Sequence, residues 1–355
     1  MGASPKEGGV SRRVVLASAL ALGACDRKSA AQAAAVDLPP LKSLAGFPVG
    51  TCVQAAQLDD AAFAALVAAQ VSQLTAEWEM KMEYIVQDDG SLRFDAPDRI
   101  AAFARTHGLR FFGHTLVWYA QSPAAFARLG SGPGFAAAYR DYIHAVVGRY
   151  RGQAAGWDVV NEAVAEDGEG WRECLWSQRL GRLEHMTLAF QHAREADSDA
   201  VLFLNDYNLE NLPKKRATFL KLAEALLKAG APLGGLGTQT HVAADLKGGE
   251  LTAALKDLAS LGLPIHLSEM DVSLSRAKGL LRDRRELEAG QARVYAEAAE
   301  AFSSLPARQR FAFTFWGLRD GESWLKREDA RDTPLPFDDA GQAKAAASAW
   351  AAALR

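Results

Sequence analysis

The stretch Gly156-Trp-Asp-Val-Val-Asn-Glu162 carries the pattern that decides the fold, a short β-branched and aromatic run that ends in polar residues. The same pattern occurs eight times, and Ala- and Leu-rich amphipathic stretches separate the runs. The predicted strands are Phe47–Val53, Gln70–Leu74, Arg110–Trp118, Gly156–Asn161, Val201–Asn205, Gly234–Thr240, Ile265–Glu269 and Phe311–Trp316. Helical spacing lies between them, as in Ala61–Ala69, Pro97–His107, Phe135–Tyr150 and Lys214–Lys228. Strands that alternate with helices in this way predict an α/β protein, a single (β/α)8 TIM barrel.

The main alternative for such a chain is an open, doubly wound sheet. That fold usually places a Gly-rich phosphate loop between an early strand and a helix, and none is present here. The run Gly234–Gly237 lies within or before a strand, so it is a poor phosphate loop. No linker interrupts the sequence from Leu41 to Arg355, and we predict one catalytic domain over residues 38–355.

The first 37 residues have the features of an export signal and a linker. Arg12 and Arg13 precede an apolar run, Val14–Ala24, that is too short to span a bilayer. The segment resembles a twin-arginine signal, and Cys25 directly after the run resembles the lipidated residue of a bacterial lipoprotein. The competing interpretation is ordinary signal-peptidase cleavage near Ala31–Ala33. In both cases we expect an exported protein, periplasmic or extracellular, and a lipid on Cys25, where it is retained, would be the membrane anchor.

Composition excludes several classes of partner. The formal charge of −3 gives no reason to expect nucleic acid. Cys52 and Cys174 are too few for a disulfide framework and have no metal-binding spacing, so no metal or cofactor is expected. Several of the eight Trp residues sit beside Gly, Asn, Asp or Glu, which suits a cleft that stacks on sugar rings. We expect a monomer.

Polar and aromatic residues gather at the ends of the predicted strands. A parallel barrel builds its active site at the carboxyl ends of its strands, so these side chains should converge on one rim. The set is Glu77, Lys81, His114, Trp118, Gln121, Asn161, Glu162, Asn205, Asp206, Tyr207, Asn208, Gln239, His241, Glu269, Asp271, Trp316 and Trp324. Glu162 ends strand four and Glu269 ends strand seven, which face each other across a ring of eight. A facing pair of carboxylates is the minimum equipment of a glycosidase.

Six segments in register resemble the family 10 glycoside hydrolases, the xylanases. The segment Trp157–Ala163 resembles their acid/base segment, and His266–Asp271 resembles their nucleophile segment. The other matches are Gly113–Trp118, Leu204–Asn208, Gly235–His241 and Phe315–Asp320, and together the resemblance covers roughly Gly46 to Arg355. It implies a retaining endo-β-1,4-xylanase that hydrolyses the xylan backbone through a covalent glycosyl-enzyme.

The resemblance also implies a role for each residue of the rim. Glu162 would be the acid/base and Glu269 the nucleophile. Asn161 would bind the 2-hydroxyl of the sugar in subsite −1, Gln239 would bond the acid/base, and His241, held by Asp271, would bond Glu269. Substrate-binding roles would fall to His114, Trp118, Trp316 and Trp324 around −1, to Glu77, Lys81 and Gln121 at −2, and to Asn205, Tyr207 and Asn208, the last two towards +1.

Two positions depart from the family pattern. Trp78 stands where an Asn would bind the −2 sugar, and Tyr119 replaces a His near −1. Both favour a related β-glycosidase with altered specificity, for short xylo-oligosaccharides or another β-1,4-glycan, as the first alternative. The further alternatives are a non-catalytic glycan-binding barrel and a metal-dependent barrel hydrolase that uses His114, His241, Glu162 and Asp271 as ligands.

Overall fold

The computed structural model describes residues 38–279 and 283–355, and in this part of the chain nine parallel strands form one closed sheet. The strands are β1 Val49–Val53, β2 Gln73–Ala76, β3 Arg110–Trp118, β4 Ala154–Asn161, β5 Val201–Asp206, β6 Gly235–Thr238, β7 His241–Ala243, β8 Ile265–Ser273 and β9 Arg310–Phe315. Each of β1 to β5 pairs with the next strand, β9 pairs with both β1 and β8, and β6 pairs with β8 to close the ring. The predicted (β/α)8 barrel is confirmed, and β7 is a short extra strand on the second half of β8.

Helices connect the strands and form the outer layer. They are α1 Leu41–Leu44, α2 Ala61–Gln70, α3 Met82–Ile85, α4 Asp95–Thr106, α5 Ala124–Ala127, α6 Pro133–Arg149, α7 Leu175–Leu180, α8 Glu184–Ala196, α9 Pro213–Lys228, α10 Glu250–Ala259, α11 Arg284–Ser303 and α12 Ala345–Ala352. Short 3₁₀ turns occur at Ala55–Asp59, Ala307–Gln309, Asp320–Glu322 and Trp324–Arg327. No helix in residues 38–279 or 283–355 is long and apolar enough to cross a bilayer.

Seven of the eight predicted strands differ from the structure by one to four residues at an end, and two of these differences have a clear local cause. The second was predicted from Gln70, but α2 continues through Gln70 and its last turn is closed by the Val71 amide on Val67. The sixth was predicted as one strand to Thr240, but the chain turns there, with a φ of +62° at Thr240, and resumes as β7. This turn brings His241 beside Asp271 of β8.

Aromatic side chains fill the lower barrel. The rings of Phe112, Phe203 and Phe311 surround the ring of His266, with centroids 4.5 to 5.7 Å away. Burial lowers the pKa of His266 to about 3, so this residue is a neutral part of the core, bonded to Thr314 at 2.8 Å. The barrel interior is therefore a packed core, and open space is left only at the carboxyl ends of the strands.

The predicted export signal lies outside the described residues. Its two arginines, its apolar run and Cys25 all fall within residues 1–37. The boundary at residue 37 and the export of the protein therefore remain predictions.

Candidate active site

A cleft of about 440 Å³ opens at the carboxyl ends of the barrel strands, a volume within the usual range of ligand sites. It is lined by Glu77, Trp78, Lys81, Trp118, Glu162, Tyr207, Asn208, Gln239, His241, Glu269, Arg276, Trp316, Trp324 and Arg327. Most of these residues were predicted from the strand ends, and their side chains converge on one site.

Glu162 directly follows β4 and is held in an uncommon backbone conformation, with a φ of +58°. Its amide donates to the carbonyl of Asn205 at 2.8 Å, and its side chain is buried except for 9% of its surface. The amides of Gln239 and Asn161 donate to Oε1 of Glu162 at 2.9 and 3.2 Å. Neutral amide donors therefore position this carboxyl group at the wall of the cleft.

Glu269 lies within β8 and has a different environment. Nδ2 of Asn205 donates to Oε1 of Glu269 at 2.9 Å, and Nε2 of His241 is 3.4 Å from Oε2. Nδ1 of His114 is 4.0 Å from Oε1. Burial alone would raise the pKa of Glu269, but His114 and the bond from His241 outweigh it and lower the pKa to about 2. Glu269 is consequently ionised at any ordinary pH.

His241 is fixed by a buried carboxylate on its other side. Its Nδ1 is 2.8 Å from Oδ2 of Asp271, and the indole of Trp324 donates to the same oxygen at 2.8 Å. Burial would lower the pKa of His241, but Asp271 and then Glu269 raise it to about 10. The protonated ring thus links the two carboxylates and keeps Glu269 charged.

His114 has a similar partner that the sequence analysis did not single out. Its Nδ1 is 2.8 Å from Oδ2 of Asp158, four residues before Glu162 on the same strand. Burial raises the pKa of Asp158 to about 6, although the bond to His114 opposes this shift. Asp158 sits inside a strand and not at its end, so position alone gave no signal for it.

The residues predicted for subsite −2 lie at one side of the cleft, with one exception. Nζ of Lys81 lies 4.8 Å from the ring centre of Trp118, and Glu77 accepts from Gln54 at 2.9 Å. Burial raises the pKa of Glu77. Gln121 is not among the cleft residues in the described part of the chain, because its side-chain oxygen accepts the backbone amide of Glu83 at 3.0 Å.

On the opposite side of the cleft, the predicted residues Tyr207 and Asn208 contact charged residues that sequence reasoning missed, namely Glu166, Arg172 and Lys215. Tyr207 and Asn208 both contact the carboxylate of Glu166, and Arg172 donates to the hydroxyl of Tyr207 at 2.8 Å. Nζ of Lys215 lies 3.5 Å from the ring centre of Tyr207. Glu166 and Arg172 are in the loop after β4, where catalytic loops of barrels are expected, but charged loop residues are too common to be a specific signal.

The two departures from the family pattern occupy defined places. Trp78 lines the cleft with 42% of its surface exposed and packs edge-to-face on Tyr84, with ring centres 4.8 Å apart. Tyr119 packs under the guanidinium of Arg172, 4.1 Å from the ring centre. Trp78 therefore lines the cleft and also makes a packing contact with Tyr84.

The geometry combines two carboxylates with unequal surroundings in one open cleft. The ionised Glu269 can act as a nucleophile or stabilise a positive centre, and Glu162, bonded only by amides, can exchange a proton with a bound group. The ring of Trp316 lies 5.2 Å from the ring of His114 and 6.2 Å from the ring of His241, measured between centres. An aromatic surface therefore lies beside the two histidines. Such an arrangement suits cleavage of a glycosidic bond.

Both the sequence and the fold have known relatives. The chain matches the family model described as Glycosyl hydrolase family 10 over residues 41–353. It is 33% identical to an endo-1,4-beta-xylanase of Geobacillus stearothermophilus, over 82% of this chain and 91% of that protein. The intracellular xylanase TsXylA of Thermoanaerobacterium saccharolyticum, solved with xylotetraose, has a TM-score of 0.80 and 32% identity, over 88% of this chain and 98% of that one.

Two longer proteins are equally similar. They are endo-1,4-beta-xylanase A of Thermoanaerobacterium saccharolyticum and exoglucanase XynX of Acetivibrio thermocellus, each 33% identical over 87% of this chain. The chain spans only 27% and 29% of their lengths. The resemblance inferred from the six motifs is confirmed by these matches, and the chain belongs to glycosyl hydrolase family 10.

Proposed function

We propose that this protein is a retaining endo-β-1,4-xylanase that hydrolyses the xylan backbone by double displacement. The observation that carries the proposal is the unequal pair of buried carboxylates, with Glu269 beside two imidazoles and Glu162 beside two amides. Family membership and the similarity to xylanases support the choice of substrate. The proposal covers both the activity of the protein and its substrate.

In the first step, Oε2 or Oε1 of Glu269 attacks the anomeric carbon while Glu162 donates its proton to the leaving glycosidic oxygen. The bond from carbon to Glu269 forms as the bond to the leaving sugar breaks. In the second step Glu162 takes a proton from water, whose oxygen displaces Glu269 and restores both carboxyl groups. Gln239, bonded to Oε1 of Glu162, would hold this group in place for both steps.

The proposed subsite assignments follow the resemblance to the family. Asn161 and His114, next to the catalytic carboxylates, would contact the −1 xylose, and Trp316 would cover it. Glu77 and Lys81 would bind the −2 xylose, with Trp78 as the rim of that subsite. The residues Trp118, Asn205, Tyr207, Asn208 and Trp324 would complete the site, with Tyr207 and Asn208 towards +1.

The test of this proposal is covalent trapping. A xylobioside with fluorine at C2 of the reacting sugar and a good leaving group should form a stable glycosyl-enzyme, because fluorine slows both steps and the good leaving group restores the rate of the first step only. Peptide mass spectrometry should find the label on Glu269, and digestion of xylan should release short oligosaccharides. A label on another residue, or no release from xylan, would overturn the assignment.

A specificity change within the same chemistry is the second candidate. The exposed indole of Trp78 supports it, because it offers a stacking face and one N–H where an Asn would offer a donor and an acceptor. Rates on xylan, mixed-linkage glucan and xylotriose, measured side by side, separate the candidates. A higher kcat/KM on glucan or on xylotriose than on xylan would favour the altered specificity.

We also propose that residues 1–37 direct export and that Cys25 carries the lipid. The paired arginines followed by an apolar run and Cys25 support this. Fractionation of cells that express the whole chain, with a Cys25→Ala variant beside it, tests the proposal. If the unsubstituted protein is in the membrane fraction and Cys25→Ala is not, lipidation is supported. If both proteins are exported and soluble, ordinary cleavage is supported. If both remain in the cytoplasm, export is contradicted. Size-exclusion chromatography with light scattering tests the expected monomer.

A further inference from the structure

Three side chains from two neighbouring outer helices meet on the surface of the barrel. His144 belongs to α6, and His192 and Glu195 belong to α8, one helical turn apart. The i, i+3 spacing places His192 and Glu195 on the same face of α8. No motif of the family resemblance includes any of them, and the proposed hydrolysis does not use them.

The donor atoms of this His144–His192–Glu195 cluster converge on one point. Nε2 of His144 and Nδ1 of His192 each lie 2.9 Å from the same oxygen, Oε2 of Glu195. All three ligand atoms lie within 4.8 Å of one another, and the two rings stand 80° apart in plane. The side chains are 39%, 15% and 55% exposed, so an ion can enter directly from solvent.

This combination of donors matches the preferences of a divalent transition metal. Zinc binds imidazole nitrogen and carboxylate oxygen at about 2.0–2.2 Å, and protein sites with three such ligands leave a fourth position to water. Ligand atoms of a tetrahedral zinc are therefore roughly 3.4 Å apart. The two N···O distances of 2.9 Å need to open by only about 0.5 Å, which the exposed Glu195 side chain allows.

The cluster lies away from the catalytic cleft. Helix α6 leads into the first residue of β4, and α8 leads into β5, so both helices run back towards the closed end of the barrel. His144 and His192 are in the second half of their helices. Glu162 and Glu269 are at the other end of the strands, so an ion here would touch neither the substrate nor the catalytic carboxylates.

We propose that His144, His192 and Glu195 form a site for a divalent transition-metal ion, with Zn²⁺ as the best match, and that the ion tethers α6 to α8. The bound ion replaces the hydrogen bonds to Glu195 with two Zn–N bonds and one Zn–O bond. Because the folded chain presents all three ligands together and the unfolded chain does not, binding stabilises the fold. The expected role is structural.

A second group of potential ligands makes a control necessary. Donor atoms of His114, Asp158 and Glu269 also lie within 4.8 Å of one another, in the buried floor of the catalytic cleft. An ion bound there would block hydrolysis, whereas an ion in the outer cluster would not. Activity and binding must therefore be measured on the same samples.

The experiment uses the full chain, stripped with a chelator and then titrated with ZnCl₂ in isothermal calorimetry and in thermal unfolding. The variants are His144→Ala, His192→Ala and Glu195→Gln, and the matched control is His107→Ala, an exposed histidine at the end of α4 outside both clusters. A Glu269→Gln variant removes one donor of the cleft group. Hydrolysis of xylan is followed with and without Zn²⁺.

One equivalent of Zn²⁺ should bind to the unsubstituted protein, the His107→Ala control and Glu269→Gln with equal affinity. At a Zn²⁺ concentration 100 times Kd, Tm should rise by about 4 °C. Each of the three cluster variants should bind at least tenfold more weakly, lose the Tm increase and keep the unsubstituted rate of hydrolysis. The proposal is overturned if Zn²⁺ binding survives in His144→Ala and His192→Ala, or if Glu269→Gln abolishes it.

Discussion

Replacement of His241 by Gln should show how the protein keeps Glu269 ionised. The pKa of Glu269 falls from its usual 4.5 to about 2, which corresponds to roughly 3 kcal/mol in favour of the charged form. Since His241 supplies both a hydrogen bond and a charge to this balance, its loss should raise the pKa of Glu269 by roughly 1–2. Gln is chosen because it retains a donor and removes only the charge.

The measurement is the pH dependence of kcat/KM on a dinitrophenyl xylobioside. This leaving group departs without a proton from Glu162, so the basic limb that Glu162 would set is removed, and the acidic limb reports protonation of the attacking carboxylate, Glu269. A carboxylate with a lowered pKa loses its charge only as the pH falls through that pKa. The unsubstituted enzyme should therefore have no acidic limb above about pH 3, and His241→Gln should have one between about pH 3 and 4.5.

A second variant and a control complete the test. Asp271→Asn removes the charge that raises the pKa of His241 to about 10, so it should move the acidic limb in the same direction. His107→Gln, on the outer surface, should leave the profile unchanged. An acidic limb that stays at its original pH in His241→Gln, whatever happens to the rate, would refute the electrostatic role assigned to His241.

Four further outcomes follow from the structure. The first-formed product of xylo-oligosaccharide hydrolysis should be the β-anomer by NMR, because two inversions restore the configuration; an initial α-anomer would exclude a covalent intermediate on Glu269. Glu162→Ala should slow xylan hydrolysis by about 10²–10⁴-fold and largely spare the glycosylation step with dinitrophenyl xylobioside, and an equal loss on both would move the acid role to another residue. Trp78→Asn should raise kcat/KM more on xylotriose than on xylobiose if the indole occupies subsite −2, whereas unchanged kinetics with a lower Tm would show that its contact with Tyr84 is purely structural. Gly113→Ala should destabilise the fold by roughly 3 kcal/mol in urea unfolding, because the new Cβ would lie 2.0 Å from the ring of Trp157. Gly148→Ala is the matched control: it lies in a helix, its new Cβ would meet no neighbouring side chain within 4 Å, and it should not destabilise the fold.

The site contacts explain why the altered position 119 need not disturb the catalytic pair. Tyr119 packs on Arg172, which bonds Tyr207 and Glu166, whereas Glu162 is held by Gln239 and Asn161. The contact of Tyr119 with Arg172 therefore connects it to Tyr207 and Glu166, and not to the amides that hold Glu162. A substitution of Tyr119 should therefore change KM for longer substrates more than it changes kcat.

The sequence by itself determined the barrel and the contents of its rim. Hydrophobic periodicity is a local property, so runs such as Gly156–Glu162 identify strands without knowledge of their neighbours. Parallel closure then requires that all strand ends share one edge, which is why Glu162 and Glu269 could be paired from strand order. The strand limits follow less directly from the pattern, since α2 extends through Gln70, the first residue of the predicted second strand, and β2 begins only at Gln73.

Only the tertiary structure decided which atoms meet. Asp158 bonds His114 across 44 positions of sequence, and Gln121 bonds the backbone of Glu83 where the family pattern had suggested a sugar contact. The meeting of His144 with His192 and Glu195 also depends on how α6 packs beside α8. Side-chain rotamers and pKa values follow from burial and from distant neighbours, and both exist only after the chain has closed into the barrel.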